Sequence, residues 1–429
     1  MTSSASTKVV RCLSCRKLKI KCDQGKPSCE YCRHRNKKCV YPSKELIPVP
    51  KKSAVCTLPR TTLGGPFGNS VSNAEFGILN IFKEKYIYVM AFGSKTLIKY
   101  WHSEVTELVQ QNLLLAKSYL TTGTLMILYL NDEEVLQEVS LVTDYSVDEL
   151  KSTSYISVYG RSKLILKTIT YFGEAINALM KYIAKAQDGE LTEMESREVF
   201  ASGVLLYGYM VYAYPLLTLV SFDDQVVDYL ALALKFVIVE GMCVSPLARS
   251  LFRKYFMTSQ DDVYLTSASS PIITDLQNQL YNLQLQGGAP EEEMYICSTA
   301  LEILNSRMDS AIEMGSPLPI FNCIVSFSSD FCRLAHSKNE FALRLLFVYS
   351  CILVFCKYYI KRKSNMWMDY IAQYKTQEFL AHGKFRHQMD ADLYYLATET
   401  KFVTRCNEFR NFHPAVYVAR YKSTNFGCL

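Results

Sequence analysis

No G-x-S-x-G elbow, P-loop or H-E-x-x-H helix occurs in these 429 residues. Those motifs place serine nucleophiles, nucleoside phosphates and catalytic zinc, so the chain is not expected to be an enzyme. A sustained a/d heptad with flanking charges is missing too, which argues against a coiled coil. Period-2 alternation bounded by turns is scarce and no short repeat stands out, so sheets and solenoids are disfavoured. Met1–Val10 is polar and lacks the apolar stretch of a secretory signal. The chain is therefore expected among reducing thiols, where a disulfide framework is disfavoured. Negative charge is also rare at this end. Met1–Lys52 holds fourteen Lys and Arg against only Asp23, Glu30 and Glu45. That net +11, within a whole-chain +6, leaves −5 for everything after Lys52. A basic module joined to a mildly acidic body is the electrostatic footprint of a polyanion binder.

Cysteine is what this basic segment does have. Cys12, Cys15, Cys22, Cys29, Cys32 and Cys39 read C-x2-C-x6-C-x6-C-x2-C-x6-C, one pattern written twice. Each half sets two thiolates one helical turn apart and a third about two turns later, within reach of a tetrahedral zinc site. Six thiolates give two ions four ligands each only if two of them bridge. The duplication therefore predicts two Zn2+ ions sharing two sulfurs.

The run from Cys12 to Cys32, with Pro27 in the loop between the half-sites, resembles the zinc binuclear cluster (Zn2Cys6) of fungal transcription regulators of the galactose-regulon-activator type. The resemblance implies that Cys12 and Cys29 bridge, that Cys15 and Cys22 complete one zinc, and that Cys32 and Cys39 complete the other. It implies double-stranded DNA as partner. Lys19 stands four residues after the second cysteine, where the family's base-reading lysine stands, and would meet a CGG-like triplet. A lysine ammonium can serve the O6 and N7 acceptors of guanine. Leu18 replaces a position commonly basic in the family, with Lys17 beside it to compensate. Arg16 and Lys21 crowd the same short helix, whereas Arg33, Arg35, Lys37 and Lys38 are expected to hold phosphates, which position without specifying.

Pro42, Pro48, Pro50, Pro59 and Pro66, with Gly64, Gly65 and Gly68, mark a linker. The expected organisation is a DNA-binding domain over 1–45, a Pro/Gly-rich linker over 46–73 and a large all-α regulatory domain over 74–429. Apolar residues at helical spacing predict helices over Leu113–Leu130, Lys163–Ala186, Ser196–Leu217, Val226–Val239, Thr274–Leu285, Glu291–Ile312, Glu340–Lys361 and Asp390–Arg405. Ser94 reads as a cap for a further helix, and Pro290 before Glu291, Glu292 and Glu293 is a start signal. Phe200–Phe222 carries no charge and is long enough to cross a bilayer. Its four tyrosines and Pro215 suit a buried helix better, so no membrane span is expected.

The order of these segments is similar to the regulatory domain of the sterol-uptake-control type of zinc-cluster regulators. That likeness implies an apolar pocket for a sterol-like ligand. The helical domain would supply regulation and a route to a homodimer, and the protein would act in the nucleus, shuttling with the cytoplasm. Rival readings are a ligand-sensing or scaffold protein and a factor anchored through residues 200–222. The nine remaining cysteines repeat no C-x2-C spacing and read as small buried hydrophobes. His382 and His387, near Asp390 and Asp392, read as a surface loop rather than a metal site.

Overall fold

The computed structural model describes residues 15, 20–35, 37, 39, 73–87, 91, 94–129, 161–212, 217–223, 225–249, 270–287, 290–356, 365–400 and 402–426. The chain divides into two compact units, Met1–Thr62 and Leu63–Leu429. Linker residues 46–72 lie outside the described residues.

In the first unit one short helix is described, α1 (Glu30–His34). Its core is Cys15, Cys22, Cys29 and Cys32, with Ile20, Tyr31 and Cys39 packed against them. So little apolar surface cannot offset the entropy of ordering the chain without a metal or other staple.

Among the described residues the second unit is helical and holds no strand. Its first helices are α2 (Asn73–Ile81), α3 (Lys95–Tyr100), α4 (Thr106–Gln111) and α5 (Leu113–Tyr129). Next come α6 (Arg161–Gln187), α7 (Glu193–Tyr212), α8 (Tyr229–Cys243), α9 (Pro271–Leu285) and α10 (Glu291–Met314). The last six are α11 (Leu318–Phe321), α12 (Ser329–His336), α13 (Glu340–Phe355), α14 (Met366–His382), α15 (Gln388–Thr398) and α16 (Pro414–Phe426). π-helical turns at Phe82–Tyr86 and Trp101–Val105 interrupt the early segment.

Starts and stops follow side-chain chemistry. Ser94, Asp228, Ser270, Ser328, Asn339 and Asn365 each accept a backbone N–H three residues on, satisfying a donor the first turn leaves unpaired. Pro290 opens α10, as its sequence signal predicts. Gly315 (φ 60°) and Gly383 (φ 69°) end α10 and α14 in the left-handed region that glycine enters without strain.

Two helices are buried nearly all round. α5 packs between α6 and α7, and its buried Ser118, Thr121, Thr122 and Thr124 return their hydroxyls to carbonyls of their own helix at 2.7–3.0 Å. Polar atoms are thereby satisfied inside an apolar layer. α13 is buried from Phe341 to Phe355 and packs against α14 and α15. Arg344 within it is 1% exposed and bonds Asp390 with two nitrogens at 2.7–2.9 Å, Asp275 at 2.5 Å and Gln279 at 2.8 Å.

Some sequence expectations are corrected here and others hold. The helix predicted over Ser196–Leu217 is described as far as Tyr212, and the Leu217–Phe222 end of the uncharged run is non-helical, with Thr218 and Leu219 accepting backbone bonds from Tyr229 and Leu230. No helix among the described residues is long and apolar enough to cross a membrane. Asp390 and Asp392 lie on α15, within the helix predicted from Asp390, while residues 383–387 form a loop; both carboxylates are buried, and the Arg344 guanidinium draws Asp390 inward. The predicted helices Glu340–Lys361 and Asp390–Arg405 end at Phe355 and Thr398. Cys243, Cys297, Cys323, Cys332, Cys351, Cys356 and Cys406 are buried thiols, while Cys56 and Cys428 lie outside the described residues.

Candidate metal centre and nucleic-acid interface

The sequence duplication is also a structural duplication. In the first half the Ile20 N–H donates to the Cys15 carbonyl at 3.1 Å; in the second, the Lys37 N–H donates to the Cys32 carbonyl at 2.9 Å. Both bonds run five residues back to the second cysteine of their half. Such a bond closes a helical turn and swings the following chain round toward the third cysteine.

These turns bring the sulfurs together. Sγ of Cys15 and Cys29 are 3.6 Å apart, and the ligand atoms of Cys15, Cys29 and Cys32 all lie within 4.8 Å of one another. Cys22 and Cys29 belong to a second group of the same tightness, with Asp23. Cys29 therefore sits in both groups. The Cys29 N–H points at Sγ of Cys39, 3.3 Å away, which joins the last cysteine to the cluster. Two thiolates on one tetrahedral zinc lie about 3.8 Å apart, given zinc–sulfur bonds of about 2.3 Å. The donor set and spacing fit zinc. Cys12 lies outside the described residues.

Asp23 is the residue that spacing arguments missed. Both its oxygens accept the Glu30 N–H at 3.1 Å, and Oδ2 accepts the Gly25 N–H at 3.3 Å. The carboxylate thus caps α1 from outside the helix, and the Glu30 N–H holds its pKa below the ordinary carboxylate value. An Asx turn two residues before Gly25 is its only signal in the sequence. With its oxygens engaged this way, Asp23 serves as scaffold beside Cys22.

Lys21, Arg33, Arg35 and Lys37 are exposed around the cysteine core. Thiolates stay inside and cations face water, the disposition a phosphate-binding surface needs. Arg16, Lys17, Lys19 and Lys38 lie outside the described residues.

The second unit holds a cavity of about 190 Å³ between α6, α7 and α8, lined by Phe172, Ile176, Phe200, Leu206, Phe236 and Val239 among others. Gly203 lets α8 approach, since a Cβ there would lie 2.8 Å from the Phe236 ring. His382, His387, Asp390 and Asp392 form no metal-sized group among the described residues.

Comparison with curated proteins and with solved structures returns no match. Residues 10–46 match the fungal Zn(2)-Cys(6) binuclear cluster domain, a family of DNA-binding transcription regulators rather than of enzymes. The geometry of Cys15, Cys22, Cys29, Cys32 and Cys39 and this match agree, and the chain carries at residues 10–46 a fungal Zn(2)-Cys(6) binuclear cluster domain, a DNA-binding module built on two zinc ions.

Proposed function

We propose that the protein is a sequence-specific regulator of RNA polymerase II transcription that acts in the nucleus and reads a CGG-like triplet. The observation that carries this reading is the shared position of Cys29 between two cysteine groups, surrounded by exposed Lys21, Arg33, Arg35 and Lys37. Zinc bound there supplies rigidity, fixing the loops so that side chains meet the groove in one register. Cys12, Cys15, Cys22, Cys29, Cys32 and Cys39 would hold the two ions, with Cys12 and Cys29 as the ligands that both would share. Arg16, Lys17, Lys19 and Lys21 are assigned to base edges and the nearest phosphates. Arg33, Arg35, Lys37 and Lys38 are assigned to the phosphate backbone, giving strongly salt-dependent affinity.

The helical unit is the regulatory part of this reading, separated from the DNA-binding domain by a linker at 46–73. Its apolar cavity supports control by a small hydrophobic molecule. At about 190 Å³ it is smaller than the roughly 300–1,000 Å³ that drug-sized ligands occupy. That favours a single ring or short acyl chain over a four-ring sterol.

Selection of bound oligonucleotides from a random pool by the zinc-loaded, full-length protein tests the DNA reading. Enrichment of a G-rich triplet, singly or as paired half-sites, is expected. Paired half-sites would identify a homodimer. Retention of DNA without enrichment of any sequence would refute specific reading.

A further inference from the structure

We propose that Cys356 and Cys406 form a redox-active dithiol, which a small hydroperoxide converts to a disulfide that staples the end of α13 to the turn at Cys406–Asn411. The two sulfurs lie 4.0 Å apart although the residues are 50 positions apart in sequence. Cys356 is the C-terminal cap of α13, and Cys406 opens the 3-10 turn.

The frame around them is already built. The Thr404 N–H donates to the Phe355 carbonyl at 3.1 Å, pairing the two segments one residue before Cys356 and two before Cys406. Phe355 meets Phe402 and Phe412 edge-on, with ring centroids 5.1 and 5.7 Å away. A disulfide bond is about 2.05 Å long, so the sulfurs need to approach by roughly 2 Å within a frame that holds them opposite each other.

Access and reactivity both distinguish this pair from the other core thiols. Cys323 and Cys351 are 0% exposed, whereas Cys356 retains 9% and Cys406 7%. A hydroperoxide is small enough to use such an opening. Burial pushes the thiols of Cys297, Cys323 and Cys332 up to about 12. Burial also raises Cys356, whereas the contact between the two sulfurs holds Cys406 below its ordinary value. Either sulfur can donate to the other, so the pair can react from either side; with Cys406 attacking, Cys356 resolves.

The chemistry balances. The Cys406 thiolate attacks one peroxide oxygen, an S–O bond forms, and the O–O bond breaks. The leaving alkoxide or hydroxide takes up the proton that Cys406 gave up, yielding alcohol or water and a sulfenic acid. Cys356 sulfur then attacks Cys406 sulfur, the S–S bond forms, and hydroxide leaves as water with the Cys356 proton. Two thiols lose two electrons and the hydroperoxide gains them.

The test treats zinc-loaded, full-length protein with hydrogen peroxide, alkylates the remaining thiols under denaturing conditions, and maps peptides without reduction. The expected product is a cross-linked peptide joining Cys356 to Cys406, lost on reduction, while Cys323 and Cys351 stay alkylated. In Cys356→Ser the sulfenic acid has no resolving thiol, so Cys406 should be captured by a 1,3-dione probe. Zinc release, followed with a colorimetric chelator, reports damage to the metal cluster in the same sample. Oxidation confined to Cys12–Cys39 with Cys356 and Cys406 still alkylatable would overturn the proposal. So would equal oxidation of Cys406 and Cys323, or pairing of Cys406 with another cysteine.

Discussion

Cys29→Ser is the sharpest perturbation of the metal centre, because Cys29 is common to both cysteine groups. On the proposed ligand assignment, Cys22 is terminal and serves one ion only. Structural zinc in small modules is worth about 10–16 kcal/mol, so one of four thiolates carries roughly 2.5–4 kcal/mol. Losing a terminal thiolate should weaken one site on the order of 10²–10³-fold. On the proposed assignment, losing the bridge removes a ligand from both sites at once. Native mass spectrometry across a zinc-buffer series reads both values. Cys22→Ser should keep a population with one bound ion over a wide range of free zinc. Cys29→Ser should pass from two ions to none over a narrow range, and specific DNA binding should vanish with it. If Cys29→Ser retains one ion as tightly as Cys22→Ser does, Cys29 is not shared and the assignment of ligands fails.

Other expectations follow from single residues. Arg344→Met leaves Asp390, which is 0% exposed, with the Tyr374 hydroxyl at 3.0 Å but without its cation, and should destabilise the helical unit by about 3–5 kcal/mol in urea unfolding; a change below about 1 kcal/mol would show that the ion cluster contributes little. Glu378 is buried, which alone would raise its pKa, but Arg386 donates to it from backbone and guanidinium and leaves it below the ordinary value. Its stabilisation is therefore complete above the unfolded value of about 4.3 and is lost as pH falls through the lower folded value, so Glu378→Gln should flatten the acid limb of an unfolding titration. Lys19→Ala should reduce discrimination between CGG-like and scrambled oligonucleotides by about 1–3 kcal/mol in competition assays while both zinc ions stay bound; zinc loss in that variant would point to a folding role instead. Chelation should abolish DNA binding and leave the helical circular dichroism of the second unit almost intact, whereas a large helical loss would show that the second core depends on metal.

The metal centre was legible because its chemistry is written in spacing. A cysteine is rarely interchangeable at a zinc site, and the repeat of C-x2-C-x6-C reappears as matching backbone bonds at Cys15 and Cys32. Asp23 was not legible as a cap, since its partner Glu30 N–H lies seven residues away and outside any N-cap window. In the helical unit, strong periodicity placed α6, α9 and α10 nearly to the residue. α11, α12, α14 and α16 were missed: Leu318–Phe321 and Ser329–His336 are short, and Met366–His382 spreads its apolar residues around the helix. α13 was overextended for a related reason: a helix apolar on all sides gives no phase from which to read its end. Nothing in the local spacing marks Arg344 as a core residue. The partners that make it a core residue, Asp275 and Asp390, are 69 and 46 residues away.

The two units solve the same entropic problem by opposite means. In the second, Trp367, Phe347, Tyr349 and their neighbours remove enough apolar surface from water to order several hundred residues. In the first, four buried cysteines with Ile20 and Tyr31 supply almost no such surface. Between Cys12 and Cys39 nine Lys and Arg stand against only four bulky apolar residues, Leu13, Leu18, Ile20 and Tyr31, and the place of those cations is in water and against phosphate. A basic reader this small cannot spend its side chains on a hydrophobic interior and on DNA together. Metal ligation frees them, since six sulfurs around two ions hold the loops from within and leave the outer face to cations. The doubling of the cysteine motif is then a consequence of charge: the more of the surface is given to phosphate contacts, the more of the folding energy has to come from zinc.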